Sequence, residues 1–235
     1  MKKFLAVTLL VAVMSNLSSC TMFEKTTAPQ VRASTMTVVP TGNGLQKPGI
    51  KTNSYPNYSF GLNVPYVCQY SGTADMNVTK NCGQACAVML GGYFNRGTVS
   101  YGEILNEDRW LANRFGDSRY NNLGSYYTGF SGRNELGTLL SSYHGLKYQV
   151  NYGSSPQVVV GELMYGRPVI VGVMIKGGQL VSSGGVPHWV IATAWSNGIV
   201  VNDPGSSSGQ NRWLSVAQFD ATWATQGRIY IPVYR

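Results

Sequence analysis

Small residues dominate the segment 81–94, whose apolar positions have helical spacing. Its bulkier apolar side chains include those of Val88, Met89 and Tyr93, and its small residues include Ala85, Cys86, Ala87, Gly91 and Gly92. A helix built mainly from small residues is buried and lets neighbouring elements approach its backbone closely. Asn81 precedes this segment at a position where its side chain can cap the first turn. The sequence therefore predicts a buried helix at 81–94.

The remaining patterns place helices mainly before strands. Further helices are predicted at 100–115, 134–143, 156–165 and 215–225. Strands are predicted at 62–67, 146–152, 168–175, 189–195, 198–201 and 228–234. Pro65 restricts the first strand to a sheet edge, and the Ser-Asn-Gly sequence at 196–198 predicts a hairpin turn. This order predicts an α+β domain in which helices pack on one side of an antiparallel sheet.

The N-terminus predicts an export signal that is not part of the fold. Lys2 and Lys3 precede an apolar run at 4–14, which is too short to span a bilayer but has the length of a signal-peptide core. The sequence Leu-Ser-Ser-Cys at 17–20 resembles a bacterial lipobox, in which the cysteine is lipidated. We expect a lipoprotein signal peptide at 1–19, a lipidated Cys20 with a flexible tether at 20–60, and a folded domain at 61–235.

Composition and charge limit the kinds of molecule that the protein is expected to bind. The chain has 18 Lys and Arg residues against 10 Asp and Glu residues, a net charge of +8. The basic residues are scattered, without a run of five or more and without a basic-aromatic motif, so nucleic-acid binding is not expected. A solvated surface in a cell envelope of anionic lipid or polymer fits better. Thr21 after the cysteine favours the outer membrane in a Gram-negative host.

Three residues far apart in the chain suggest nucleophilic catalysis. Cys82 begins the predicted buried helix, where unpaired N–H groups and the helix dipole favour a thiolate. His188 begins a predicted strand, and Asp203 follows the hairpin, which brings both ends of the hairpin side by side. A carboxylate beside an imidazole fixes its tautomer and stabilises the imidazolium. The other histidine, His144, is predicted to lie at a helix end.

These residues lie within three characteristic windows. The windows are Val-Pro-Tyr-Val-Cys-Gln at 64–69, Asn-Cys-Gly-Gln-Ala-Cys-Ala-Val-Met at 81–89, and 188–205, which ends in Asn-Asp-Pro-Gly. In this order they resemble the papain-like cysteine peptidases of the bacteriocin-processing, double-glycine-leader family and its soluble relatives. The resemblance covers about residues 60–234 and implies a papain-like fold without a cofactor. It implies Cys82 as nucleophile, His188 as base, Asp203 as the group that orients it, and Gln69 in the oxyanion hole.

The sequence departs from that family in two ways. Gln69 lies 13 residues before Cys82, a longer separation than in the transporter-fused members, and Cys86 stands where the family usually has a small residue other than cysteine. With Cys20 and Cys82 assigned, Cys68 and Cys86 remain as a candidate disulfide, which export would permit. The alternatives are a redox lock in which Cys82 pairs with one of them, and a zinc site with His188. The cysteine spacings lack the short pairs of a structural zinc site.

The sequence thus predicts a membrane-anchored cysteine peptidase that acts on peptide or protein substrates in the cell envelope. Papain-like sites also support other acyl transfers, so a peptidoglycan amidase, a transglutaminase or a deamidase is the alternative enzyme. The non-enzymatic alternative is an envelope-binding module with an inactive site.

Overall fold

The computed structural model describes residues 55–70, 80–115 and 132–235. The predicted signal peptide, the predicted lipidation site at Cys20 and most of the predicted tether lie outside these residues. Within the three ranges, no helix combines the length and the apolar character needed to cross a membrane.

The predicted helices are all confirmed to within about two residues at each end. They are α1 (Cys82–Asn95), α2 (Tyr101–Phe115), α3 (Arg133–Thr138), α4 (Gln157–Met164) and α5 (Val216–Ala224), with α3 continuing as a π-helical segment at Leu139–Tyr143. The α1 residues from Gly83 to Gly91 are buried, as the small-residue pattern predicts. A Cβ atom added at Gly91 would lie 2.4 Å from Nδ1 of His144, so glycine permits the close contact there. Asn81 occupies the N-cap position, but its side chain makes no capping hydrogen bond.

The strands form a single antiparallel sheet in the described part of the chain. They are β1 (Phe60–Gly61), β2 (Lys147–Tyr148), β3 (Asn151–Tyr152), β4 (Val169–Lys176), β5 (Gln179–Leu180), β6 (Val186–Trp195), β7 (Ile199–Asn202), β8 (Arg212–Leu214) and β9 (Ile229–Tyr234). The main order is β2-β9-β4-β6-β7-β8, with β1 paired to β6, β3 to β9 and β5 to β4. This architecture confirms the α+β fold class.

The edge strand predicted at 62–67 is wrong. The strand in this region is β1, two residues long, and the chain then leaves the sheet after a hydrogen bond from Leu62 N to Thr193 O of 2.8 Å. The following backbone bonds instead to the end of β7 and the loop after it: the Asn202 side-chain amide donates to Val64 O at 3.1 Å, and Gln69 N donates to Pro204 O at 3.0 Å. Side-chain and loop partners replace a neighbouring strand here, so the hydrogen-bonding needs of this backbone are met without a ladder.

Helices cover both faces of the sheet, so the expectation that they pack on one side is wrong. On one face, α1, α2 and the helical segment 133–143 enclose a core with Ile170, Ile191 and Ile231. On the other, α4 and α5 bury side chains against alternate residues of β4 and β6, including Val171 and Val190. The continuous apolar run of β4 explains this arrangement, because a strand that is apolar on both faces must be covered on both.

Candidate active site

The first turn of α1 places Cys82 beside the beginning of β6. Cys82 is the first residue of the helix, and its side chain is half-buried. One turn later, the Cys86 thiol donates to the carbonyl oxygen of Trp189 at 3.6 Å, so this face of α1 packs directly on β6. Residues four apart share a helix face. The helix start therefore lies beside His188, the neighbour of Trp189.

A short hydrogen bond joins His188 to Asp203. Nε2 of His188 lies 2.7 Å from Oδ1 of Asp203, and both side chains are buried. His188 belongs to β6, which pairs with β7, and Asp203 immediately follows the end of β7 at Asn202. The hairpin thus brings the two residues together as the sequence predicts.

The surroundings of His188 favour its charged form. Burial alone would lower the pKa of His188, but hydrogen bonds to Asp203 and Cys82, together with their charges, outweigh burial and raise that pKa to about 10. Because Nε2 is bonded to Asp203, Nδ1 is the ring nitrogen available to the Cys82 thiol. The imidazole therefore connects the thiol to the carboxylate, which is the arrangement that a thiolate–imidazolium pair requires.

Three donors surround the Asp203 carboxylate. Oδ1 accepts hydrogen bonds from His188 and, at 2.9 Å, from the Gly205 N–H, while Oδ2 accepts from Nη1 of Arg212 at 3.1 Å. Burial would raise the pKa of Asp203, but the bond to His188, its charge, the Gly205 N–H and the Arg212 charge together hold it below its usual value. Asp203 is therefore ionised at neutral pH. Arg212 lies on β8, a strand that the sequence does not predict, and was not among the predicted site residues.

Gln69 is carried to this region by a segment that bonds to the Asp203 loop. Its backbone N–H donates to Pro204 O at 3.0 Å, and its side chain is buried. At the other end of the segment, the Asn202 side chain binds the carbonyl oxygens of Val64 and Pro65 at 3.1 and 3.4 Å. The structure thus attaches the predicted glutamine to the residues that flank Asp203.

Two tyrosines, the partly buried Tyr66 and the buried Tyr70, strengthen the same attachment. The Tyr66 hydroxyl donates to the carbonyl oxygens of Asp203, at 3.1 Å, and Ser206, and the Tyr70 hydroxyl donates to Gly205 O at 3.1 Å. Burial and then the Asp203 charge raise the pKa of both tyrosines far above its usual value, so both remain donors. Neither tyrosine was predicted to have this role, although Tyr70 follows Gln69 directly and Tyr66 lies three residues before it.

The expected disulfide between Cys68 and Cys86 is absent. Cys86 is a free thiol, fully buried in α1, and its Sγ faces the Trp189 carbonyl on β6. Burial, followed by the charges of Cys82, Asp203 and Glu107, raises the pKa of Cys86 well above its usual value. Cys82 is also a free thiol, so it forms no redox lock in this structure. The physical reason is position, since α1 directs Cys86 toward the sheet.

The second histidine lies in a separate polar contact. His144 follows the π-helical segment, as expected for a helix end, and its Nε2 lies 2.6 Å from Oε1 of the buried Glu107. Burial lowers the pKa of His144. Among the described residues, no group of three or more His, Cys, Asp or Glu side chains is placed to hold a metal ion.

Comparison with known proteins shows to which family the chain belongs. The model of the Peptidase_C39 like family matches residues 61–231. The chain belongs to the Peptidase_C39 like family. This membership confirms the papain-like cysteine peptidase resemblance, and the matched residues lie within the domain predicted at 61–235. No curated protein sequence matches the chain.

A solved structure gives independent support for the fold. The chain is similar to a structure from Bacillus anthracis that is described as a candidate C39-like peptidase, with a TM-score of 0.50 and 19% sequence identity. The match covers 74% of this chain and 95% of that one. At this identity the likeness shows the shared fold alone.

The lack of a side chain at Gly205 leaves room for the His188 ring. A Cβ atom at Gly205 would lie 2.8 Å from Cε1 and 2.9 Å from Nε2 of His188. We expect Gly205→Ala to displace the ring, to slow alkylation of Cys82 by iodoacetamide at neutral pH, and to destabilise the fold by about 1–3 kcal/mol. Urea unfolding and mass spectrometry measure the two effects. Gly102→Ala on the exposed start of α2 is the control, and an equal alkylation rate in both variants would contradict the prediction.

Proposed function

We propose that this protein is a cysteine peptidase that hydrolyses peptide bonds with Cys82 as nucleophile, His188 as acid and base, and Asp203 as the group that orients His188. The observation that carries the proposal is the buried imidazole, bonded to a carboxylate on one side and to a thiol on the other. Family membership supports the same chemistry. Thiolate, imidazole and carboxylate in this order are the components of nucleophilic acyl transfer.

The proposed reaction has two stages. The Cys82 thiolate attacks the carbonyl carbon, and the tetrahedral intermediate collapses as His188 donates the Nδ1 proton to the leaving nitrogen, which breaks the carbon–nitrogen bond. A water molecule then gives a proton to His188 and attacks the thioester, releasing the carboxylic acid and restoring the thiolate–imidazolium pair. Asp203 holds Nε2 in both stages and stabilises the imidazolium.

Gln69 is proposed to stabilise the oxyanion of each tetrahedral intermediate. Its side-chain amide and the Cys82 backbone N–H would donate to the carbonyl oxygen as negative charge develops. The buried position of Gln69 and the hydrogen bond from its backbone to Pro204 support this assignment. A fixed donor is more effective than a mobile one, because its orientation costs nothing at the moment of reaction.

The pH dependence of Cys82 alkylation tests the thiolate–imidazolium pair without a known substrate. We expect iodoacetamide to modify wild-type Cys82 rapidly near pH 6, where an ordinary thiol with a pKa of about 8.5 is protonated. His188→Ala should slow this reaction about tenfold or more, because the thiolate loses its cationic partner. Mass spectrometry locates the label, and buried Cys86 should remain unmodified.

His144→Ala is the matched control for that experiment, since this histidine bonds to Glu107. A folded His144→Ala variant should react like the wild type. A reduced wild-type protein in which Cys82 is as unreactive as in His188→Ala would contradict the catalytic proposal. That outcome would favour an envelope-binding module.

Turnover of substrate tests the role of Gln69 and the reaction type. We expect the wild-type protein to cleave an unstructured polypeptide, and Gln69→Ala to lower the rate about 100- to 1000-fold, as for other lost oxyanion donors. The rate of Cys82 alkylation should stay at the wild-type value in this variant, since alkylation forms no oxyanion. Unchanged turnover would remove Gln69 from the site. Hydrolysis of muropeptides with no cleavage of polypeptides, measured in parallel, would indicate an amidase instead.

Attachment to the cell envelope is a separate proposal that rests on the lipobox-like sequence at 17–20. We expect the mature chain to begin at Cys20 with covalent lipid and to fractionate with membranes, whereas Cys20→Ala should not be lipidated. Intact mass and fractionation in a bacterial host measure both. A mature protein whose Cys20 carries a free thiol or a disulfide in place of lipid would contradict the anchor.

A further inference from the structure

We propose that Arg212 is a positioning residue of the candidate active site, which fixes the orientation of the Asp203 carboxylate through a direct hydrogen bond and links that carboxylate to the turn between β4 and β5. This inference rests on the proposed function of Cys82, His188 and Asp203. Arg212 does not contact the reacting atoms, so its effect would pass through Asp203.

Arg212 contacts two parts of the fold, the loop after β7 and the residues that connect β4 with β5. Its Nη1 donates to Oδ2 of Asp203 at 3.1 Å and to the carbonyl oxygen of Gly178 at 3.0 Å, and its Nη2 donates to Oε1 of Gln179. Arg212 begins β8 and pairs across the sheet with Val201, two residues before Asp203. The strand register therefore sets the distance between guanidinium and carboxylate, and the turn holds the guanidinium from the other side.

The two carboxylate oxygens of Asp203 accept hydrogen bonds from different groups. Oδ1 accepts from the His188 ring and the Gly205 N–H, whereas Oδ2 accepts from Arg212. The Asp203 side chain is fully buried, and Arg212 supplies the hydrogen bond that its outer oxygen makes in the described part of the chain. Without the guanidinium, Oδ2 would be left as a buried charged acceptor with no partner, which favours rotation or protonation of the carboxylate.

Rotation and protonation would both impair His188. A rotated carboxylate no longer places Oδ1 at 2.7 Å from Nε2, and a protonated one no longer stabilises the imidazolium. The titratable groups that face Asp203 come from every neighbouring element: His188, Arg212, Tyr66, Tyr70, Cys82 and Cys86. Of these, the tyrosines and Cys86 stay neutral at neutral pH, so His188 and Arg212 are the two cations that keep Asp203 ionised.

Replacement of Arg212 tests the proposal through the pH profile of Cys82 alkylation. We expect Arg212→Met to shift the acid limb of this profile, the pH range in which the alkylation rate rises, to higher pH by about one unit. We also expect a lower plateau, the constant rate above that range. The reason is that a carboxylate that loses a neighbouring cation protonates more easily. Arg212→Lys keeps the charge but not the forked geometry, so it should restore the position of the limb and leave a lowered plateau. The shift in the limb is a readout that a purely structural role would not change.

Arg228→Met is the matched control. Arg228 also forms a two-bond pair with an aspartate, Asp220, at 2.9 and 3.1 Å, but that pair is partly exposed and contacts none of the three site residues. The Arg228→Met profile should coincide with the wild-type profile. Urea unfolding verifies that each variant is folded, and if Arg212→Met does not fold, Arg212→Gln, which also removes the charge, takes its place with the same expected shift of the limb.

The outcomes separate this inference from the proposed function. If the wild-type reactivity depends on His188 and the profiles of folded Arg212 variants coincide with that of Arg228→Met, the inference about Arg212 is overturned and the proposed function stands. If wild-type Cys82 shows no reactivity that depends on His188, the proposed function itself fails. An upward shift in Arg212→Met that Arg212→Lys reverses supports the inference.

Discussion

The hydrogen bond between buried His188 and buried Asp203 is the interaction on which the rest of the site depends. Two charged groups removed from water are stable only if the remaining hydrogen-bonding positions around them are filled. The Gly205 N–H and Arg212 fill those of the carboxylate, and the thiol of Cys82 faces the remaining side of the imidazole. The loop after β7 therefore has little conformational freedom, because each change in its path would leave a buried charge without a partner.

The same requirement explains why the segment at 64–70 leaves the sheet. Its backbone and its two tyrosine hydroxyls satisfy the backbone and side-chain groups of residues 202–206, a task that an edge strand could not perform. The position of Gln69 next to the Asp203 loop is thus a consequence of that loop's own hydrogen bonds. Several hydrogen bonds between residues 64–70 and 202–206 hold the backbone of Gln69 against the loop that carries Asp203, so movement of one would be transmitted to the other.

The sequence predicted the elements that depend on local pattern and missed those that depend on distant contacts. The small-residue pattern revealed α1, and the Ser-Asn-Gly turn brought His188 and Asp203 together. In contrast, β5 and β8 are only two and three residues long, too short for a period to be recognised, and Arg212 was missed with β8. The free thiol of Cys86 was also unpredictable, because cysteine spacing does not reveal that α1 turns this residue toward Trp189.

Charge balance gives these contacts a common physical basis. In the proposed reactive state, the anions are the Cys82 thiolate and Asp203, and the cations are His188 and Arg212. Four charges that alternate in sign along one chain of contacts have no net charge, so removing each of them from water costs less than it would without its partners. A site with only the first three would carry one excess negative charge at its most buried member. In the proposed reactive state, Arg212 removes this excess charge through its contact with Oδ2 of Asp203.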